Sequence, residues 1–359
     1  YTCWMGIDQD WRIYRKMSMK IVGIGDLLIP AQYILEGLKS LEKKGGTVEV
    51  IQWNLKDYEE LQNINLRVEK EGAEAYQSDV SMIDKLKDAD FIVTQFFPIN
   101  KIIMDKCPKL KMIGVLRGGV ENVNVDYATQ KDILVFNTPG RNANAVADFT
   151  VGMLIAECRN IARSHKNLMQ VHWVRDYMNA GRVPDLSDKT VGLIGLGAIG
   201  KKVAQRLNGF EMNILAYDPY AKEVPEYVKM CTLEDLLKKS DFVSMHCRLT
   251  KDNYHLMDKN KFDLMKETAY FINTARSGLV NEQDLYDALR NNKILGAAID
   301  VFDEEPLSKN NPFLTLPNVT ITPHLAGGTS DAFLNSPKLL AKEVLAYIDE
   351  RIDSFIINK

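Results

Sequence analysis

Three residues suited to acid–base and anion chemistry fall just past apolar runs in the C-terminal half of the chain. Arg276 does so in "FINTARSGLV", Glu305 in "AAIDVFDEEPL" and His324 in "VTITPHLAGG". A guanidinium binds a carboxylate through two parallel hydrogen bonds, which lysine cannot imitate. An imidazole gives and takes protons near neutrality, and a carboxylate beside it stabilises the imidazolium. Each residue also has an ordinary reading. Arg276 fits a surface charge, Glu305 a solvated acidic turn in which Glu304 competes for any role, and His324 a turn cap. The other histidines (His165, His172, His246, His255) read as structural or exposed. The five cysteines carry no C-x-x-C pair, so no metal site or disulfide framework is expected.

Side chains placed this way need strands behind them. Short apolar runs alternate with helical patterns nearly throughout. Strands are expected at 21–24, 48–53, 91–95, 112–116 and 133–137, then at 191–195, 213–217, 242–246, 269–273, 296–300 and 319–322. Most lack polar alternation, which marks strands covered on both faces. The implied class is α/β, with two doubly wound, parallel-sheet, Rossmann-like domains. In such sheets ligands bind beyond the carboxyl ends of the strands, where all three residues fall.

A faint internal echo supports two related domains. "SMIDKLKDADFIVTQ" (81–95) resembles "TLEDLLKKSDFVSMH" (232–246) at a constant offset of 151. Two long helical patterns, 143–168 and 330–352, read as connectors. One domain of 142–324 is then inserted in another, made of 19–141 and 325–359, with residues 1–18 as an extension of no evident role.

At the start of the inserted domain lies "TVGLIGLGAIGKKVAQRL", with Gly195-Leu196-Gly197-Ala198-Ile199-Gly200 as G-x-G-x-x-G between a strand and a helix. The first glycine makes the tight turn, the second lets backbone amides approach a pyrophosphate, and the third lets helix and strand pack closely. Free N–H groups at the helix start favour the phosphates. Asp218, 18 residues beyond Gly200, ends the next strand. Its carboxylate suits the two adenosine ribose hydroxyls and repels a 2′-phosphate, favouring NAD over NADP. A methyltransferase binding S-adenosylmethionine also uses a glycine turn and a strand-end acid, so the turn by itself leaves the chemistry open.

From about Lys20 onward the chain resembles the D-isomer-specific 2-hydroxyacid dehydrogenase family, which includes phosphoglycerate dehydrogenases. The motifs that carry the resemblance are "TVGLIGLGAIG", "AYDP", "NTARSGLVNEQDLYDAL", "GAAIDVFDEEPL" and "NVTITPHLAGGT". The resemblance implies an NAD domain inserted in a substrate domain, a homodimer formed through the connector-helix region, and hydride transfer between the cofactor and a small 2-hydroxy or 2-keto acid. It makes His324 the acid/base, Glu305 its partner and Arg276 the anchor for the substrate carboxylate. It places Thr274, Ala275, Asp300 and Gly327 with the glycine turn and Asp218 at the cofactor. The loops "VTQFFPIN" and "LRGGVENVNVD" take the places of the family's substrate loops, with Phe97, Gly118 and Gly119 as substrate contacts. This chain departs from commoner family patterns at Phe96, Phe97, Glu121 and Arg248. Arg117 suits a second anionic group or an ion pair with Glu121.

Composition is consistent with this reading. With 45 basic and 48 acidic residues, the net charge of −3 argues against a nucleic-acid or anionic-membrane surface. No apolar run is long enough to span a bilayer, and residues 1–18 lack a signal-peptide core, so a cytoplasmic enzyme is expected. The stretch after 324 is expected to be too short for an added regulatory domain. Two rivals remain at this level: a dehydrogenase of another small anion such as formate or phosphite, and a dinucleotide-sensing binding protein of the corepressor type.

Overall fold

The computed structural model describes residues 19–349 and 355–359; the N-terminal extension of residues 1–18 lies outside the described residues. The chain divides into two compact units. One comprises the chain up to Arg141 together with Ser330–Lys359, and the other is Asn142–Thr329.

The first unit holds a five-stranded sheet of β1 (Met19–Gly25), β2 (Gly46–Gln52), β3 (Phe91–Thr94), β4 (Met112–Val115) and β5 (Leu134–Asn137), in the order β2-β1-β3-β4-β5. Every pairing is parallel. β3 and β4 are buried along their whole length, which is why they read as unbroken apolar runs. The chain order reverses between β1 and β3, and the loops after β3 and β4 leave the carboxyl edge beside that reversal.

The second unit holds seven strands: β6 (Thr190–Ile194), β7 (Asn213–Tyr217), β8 (Val228–Met230), β9 (Phe242–Met245), β10 (Tyr270–Asn273), β11 (Gly296–Ile299) and β12 (Val319–Ile321). They are parallel and run β12-β11-β10-β9-β6-β7-β8, so the order reverses at β6, the strand that feeds the glycine turn. The eleven expected strands are all present. The twelfth, β8, has three residues with two exposed, so at the sheet edge it carries no apolar run to read.

The internal echo has a structural counterpart. Asp90, just before β3, accepts a hydrogen bond from the Lys20 N–H (2.8 Å). Asp241, just before β9, accepts one from the Thr190 N–H (2.9 Å). In each unit an aspartate thus pins the start of the neighbouring first strand.

The connector pattern 143–168 is two helices, Ala143–Cys158 and Ile161–Met169. Asn160 breaks it with a left-handed backbone (φ 59°), its side chain donating to buried Asn179 (2.8 Å). The C-terminal pattern is likewise interrupted, into Ser330–Leu334 and Ser336–Ile348 with Asn335 between.

Candidate active site

The glycine turn separates three different physical demands. Gly195 has φ +102°, and a Cβ there would lie 2.5 Å from the Cys247 amide nitrogen. A Cβ on Gly200 would collide with the Gly195 carbonyl oxygen. Both glycines are therefore required for the turn itself. Gly197 differs: a Cβ would meet nothing within 4 Å, its φ is an ordinary −74°, and it is exposed with Ala198. It caps the helix Ala198–Asn208 with no side-chain hydrogen bond, leaving the first N–H groups open. Ile199 is half-buried beside them. Open space above a bare helix start is the cradle that a pyrophosphate fits.

Asp218 stands at the end of β7 and faces this turn. Its Oδ2 accepts from the Leu196 N–H (2.8 Å) and its Oδ1 from the Tyr220 N–H (2.8 Å). The carboxylate is thus fixed beside the turn by backbone donors. His246, at the end of β9, lies behind Gly195 and Gly200. It is buried with neither ring nitrogen hydrogen-bonded, and burial pushes its pKa down to about 3.

His324 and Glu305 meet. The His324 Nδ1 lies 2.8 Å from Glu305 Oε2, so Nδ1–H donates to the carboxylate. Both side chains remain open to solvent, and Nε2 has no partner among the described residues. The ring is held by backbone at φ +54°, a region uncommon for histidine. Glu305 is braced in turn, its Oε1 accepting from the Phe302 N–H (2.9 Å). Glu304 makes no such pairing.

Three residues hold this arrangement. Asp300, at the end of β11 and fully buried, accepts from Thr322 Oγ1 (2.5 Å), the Leu325 N–H (2.9 Å) and the Ala326 N–H (2.9 Å). It therefore clamps the loop that carries His324 from both sides. Residues 325–329 fall with the second unit, where the expected crossing is at 324. Glu282 accepts from the Asp303 N–H (2.6 Å), fixing the turn before Glu305; burial raises its pKa above the usual glutamate range, opposed by that N–H. Asn273, buried at the end of β10, donates to the Arg276 carbonyl (3.0 Å) and accepts from the Ala275 N–H (3.0 Å).

Arg276 is presented at the surface by that Asn273 clamp. Among the described residues its side chain bonds only to the Ala275 carbonyl (2.7 Å) and pairs with no carboxylate, including Glu305. Thr274 is buried, its hydroxyl 2.7 Å from that of Thr150. Gly327 lies against the Asn142 side chain.

In the first unit, Gly118 is exposed and Gly119 half-buried after β4. Asn137 Nδ2 donates to the Gly118 carbonyl (2.6 Å), while the Gly118 and Gly119 N–H groups have no partner among the described residues. Phe97, expected as a substrate contact, turns inward instead. Its ring is 1% exposed and packs edge-on against Trp53 (5.3 Å) and Tyr76 (6.2 Å), so the side chain is core and cannot face a ligand. Phe96 is the less buried of the pair and lies against Arg117.

The positioning roles of Asp300, Asn273 and Glu282 were not read from sequence. Asp300 and Asn273 end strands, where a polar residue looks like simple termination. Glu282 sits in a first helical turn, where acids are common caps. Among the described residues no group of His, Cys, Asp and Glu side chains is arranged to hold a metal ion.

Comparison with known proteins identifies the family. Residues 151–326 match the sequence model of the D-isomer specific 2-hydroxyacid dehydrogenase NAD binding domain. A D-3-phosphoglycerate dehydrogenase of Methanocaldococcus jannaschii is 38% identical over 77% of this chain. The chain spans 53% of that relative's length. A glyoxylate reductase of Thermofilum pendens is 38% identical over 73% of this chain and 78% of its own. Among solved structures, the NAD-complexed D-isomer specific 2-hydroxyacid dehydrogenase of Lactobacillus delbrueckii ssp. bulgaricus superposes with a TM-score of 0.74. It covers 95% of this chain and 100% of that one at 21% identity, which establishes the shared fold.

Proposed function

The chain belongs to the D-isomer-specific 2-hydroxyacid dehydrogenase family, with NAD as its cofactor, and from that premise we propose that it interconverts a D-2-hydroxyacid and its 2-keto acid. Asn142–Thr329 is the NAD-binding domain, and the remaining described chain is the substrate-binding domain. Bound NAD supplies the hydride donor or acceptor at C4 of its nicotinamide. The open N–H groups at Gly197 and Ala198 bind the pyrophosphate, and Asp218 takes the adenosine ribose. Thr274, Ala275 and Gly327 line the nicotinamide side, and Asp300 acts there through the loop it clamps.

The observation that carries the chemistry is the His324–Glu305 hydrogen bond with Nε2 left open. With Nδ1–H committed to Glu305, Nε2 is the atom that exchanges a proton with the substrate oxygen. In reduction the imidazolium donates that proton as the 2-keto carbon becomes tetrahedral; in oxidation the neutral ring takes it back. Glu305 orients the ring through its Nδ1–H. Arg276, free of internal ion pairs, holds the substrate carboxylate and carbonyl oxygen. In the substrate-binding domain, the N–H groups of Gly118 and Gly119 offer backbone donors suited to a carboxylate.

The relatives' names describe substrates with a phosphate, in D-3-phosphoglycerate dehydrogenase, and without one, in glyoxylate reductase. A cytoplasmic homodimer is part of the proposal. Among the described residues no helix is long and apolar enough to cross a membrane. Met169, Val171 and Trp173, after the connector helices, are 72%, 89% and 80% exposed, a run that a second copy would cover. The test is loss of NADH absorbance with glyoxylate, hydroxypyruvate, pyruvate, branched 2-keto acids and phosphohydroxypyruvate. Turnover of at least one is expected. Silence across the panel, with NADH still bound, would replace the enzyme with a dinucleotide-sensing protein.

A further inference from the structure

The loop after β4 carries Arg117 beside the Gly118 and Gly119 N–H groups, which have no partner among the described residues, and its charge is already engaged. Four of its donors are engaged. Nε reaches the Gly119 carbonyl (3.3 Å), and one terminal nitrogen reaches Asn65 Oδ1 (3.1 Å) and Glu69 Oε1 (3.2 Å). The other binds Glu121 Oε2. The Phe96 ring covers the guanidinium at 5.3 Å. The side chain is 10% exposed, whereas those of Glu69 and Glu121 are 41% and 46% exposed. Two carboxylates thus surround one buried guanidinium, and the face turned to solvent is the acidic one. The Glu121 carboxylate folds back over Gly119 itself.

We propose that this Arg117–Glu69–Glu121 cluster makes the site select 2-keto acids with a single anionic group and reject those with a second one, a phosphate above all. The inference rests on the dehydrogenase reading for the place of the substrate, and it deepens that reading by naming the substrate class. Two unit charges of like sign a few ångströms apart repel strongly where solvent is partly excluded. A phosphate brought to this loop meets Glu121 and Glu69 before it meets Arg117. A hydroxyl or methyl end meets neither penalty, and a hydroxyl can donate to either carboxylate. Sequence by itself left Arg117 open as an anion receptor; the pairing with two acids closes that role.

The experiment compares two ligand pairs that differ only by a phosphate, in the full chain. Hydroxypyruvate and phosphohydroxypyruvate are assayed for kcat/KM with NADH. D-glycerate and D-3-phosphoglycerate are titrated calorimetrically onto the NADH-bound protein, where no reaction can proceed. The wild type should favour the unphosphorylated member of each pair at least tenfold. Glu121→Gln, which keeps shape and removes a charge, should narrow both ratios about tenfold or more; Glu69→Gln serves as the second variant if Glu121→Gln does not fold. Equal or better use of the phosphorylated ligand by the wild type, ratios unmoved by these variants, or no binding of either acid overturns the proposal. If no keto acid turns over but the binding order and its response to Glu121→Gln hold, selectivity stands while the dehydrogenase reading falls.

Discussion

Glu305 Oε2 receives the Nδ1–H of His324 at 2.8 Å, while its Oε1 receives the Phe302 N–H at 2.9 Å. One carboxylate therefore fixes both the imidazole's tautomer and its own turn, and leaves Nε2 facing outward. Removing the ring should abolish proton transfer and spare the cofactor site. His324→Ala is expected to lower kcat by about 10²–10⁴-fold, the range for a general acid–base group. NADH affinity, followed by fluorescence titration, should stay within about threefold. Turnover retained by this variant would remove His324 from the mechanism.

Gly195 and Gly197 should respond oppositely to the same methyl group. At Gly195 alanine meets both a left-handed φ of +102° and the Cys247 nitrogen. Gly195→Ala should destabilise the protein by at least about 2 kcal/mol. At Gly197 the methyl has open space and an ordinary backbone, so denaturant stability should change by less than about 1 kcal/mol. The same methyl would occupy the pyrophosphate's place and weaken NADH binding about tenfold or more, ~1.4 kcal/mol. Normal NADH affinity in Gly197→Ala would move the cofactor elsewhere.

Asp300 acts on His324 through the loop it clamps. In Asp300→Asn the amide nitrogen cannot accept from the backbone N–H it faces, so one clamp becomes a donor opposed to a donor. The expected cost is about 1–3 kcal/mol of stability. Activity should show a split, with kcat falling at least tenfold while KM for NADH moves little. A tenfold rise in that KM with kcat intact would assign Asp300 to cofactor contact.

His246 makes the NAD-binding domain acid-sensitive. Its folded pKa is pushed down to about 3 by burial, so below about 6.5 the unfolded chain takes a proton that the folded domain refuses. The stabilisation is full above about pH 6.5 and is lost as pH falls toward 3, by ~1.4 kcal/mol for each pH unit. His246→Leu removes a titrating group whose nitrogens have no partners. Denaturant melts at pH 7 and pH 5 should show a smaller acid loss in the variant than in wild type. An identical loss would place the acid sensitivity on other groups.

The sheets were legible in the sequence because their strands are buried on both faces, and so appear as runs such as "FIVT" and "YFIN". β8 was not, since an edge strand with Lys229 and Met230 exposed looks like loop. The pairing of Glu305 with His324 was implied by the family resemblance, and the two residues lie beyond the adjacent strands β11 and β12. What spacing could not supply is orientation. Phe97 turns into the core through Trp53 and Tyr76, and Arg117, in a loop, turns to Glu69, 48 positions away on the helix Tyr58–Glu71. Asn160 ends a helix by its left-handed backbone, a choice that the apolar period on either side conceals.

The most direct measurement of the central claim is the configuration of the product formed from hydroxypyruvate and NADH. NADH should be consumed with glycerate of the D configuration accumulating in equal amount, and none should form with His324→Ala on the same timescale. L-glycerate, or D-glycerate formed equally fast by His324→Ala, would contradict it.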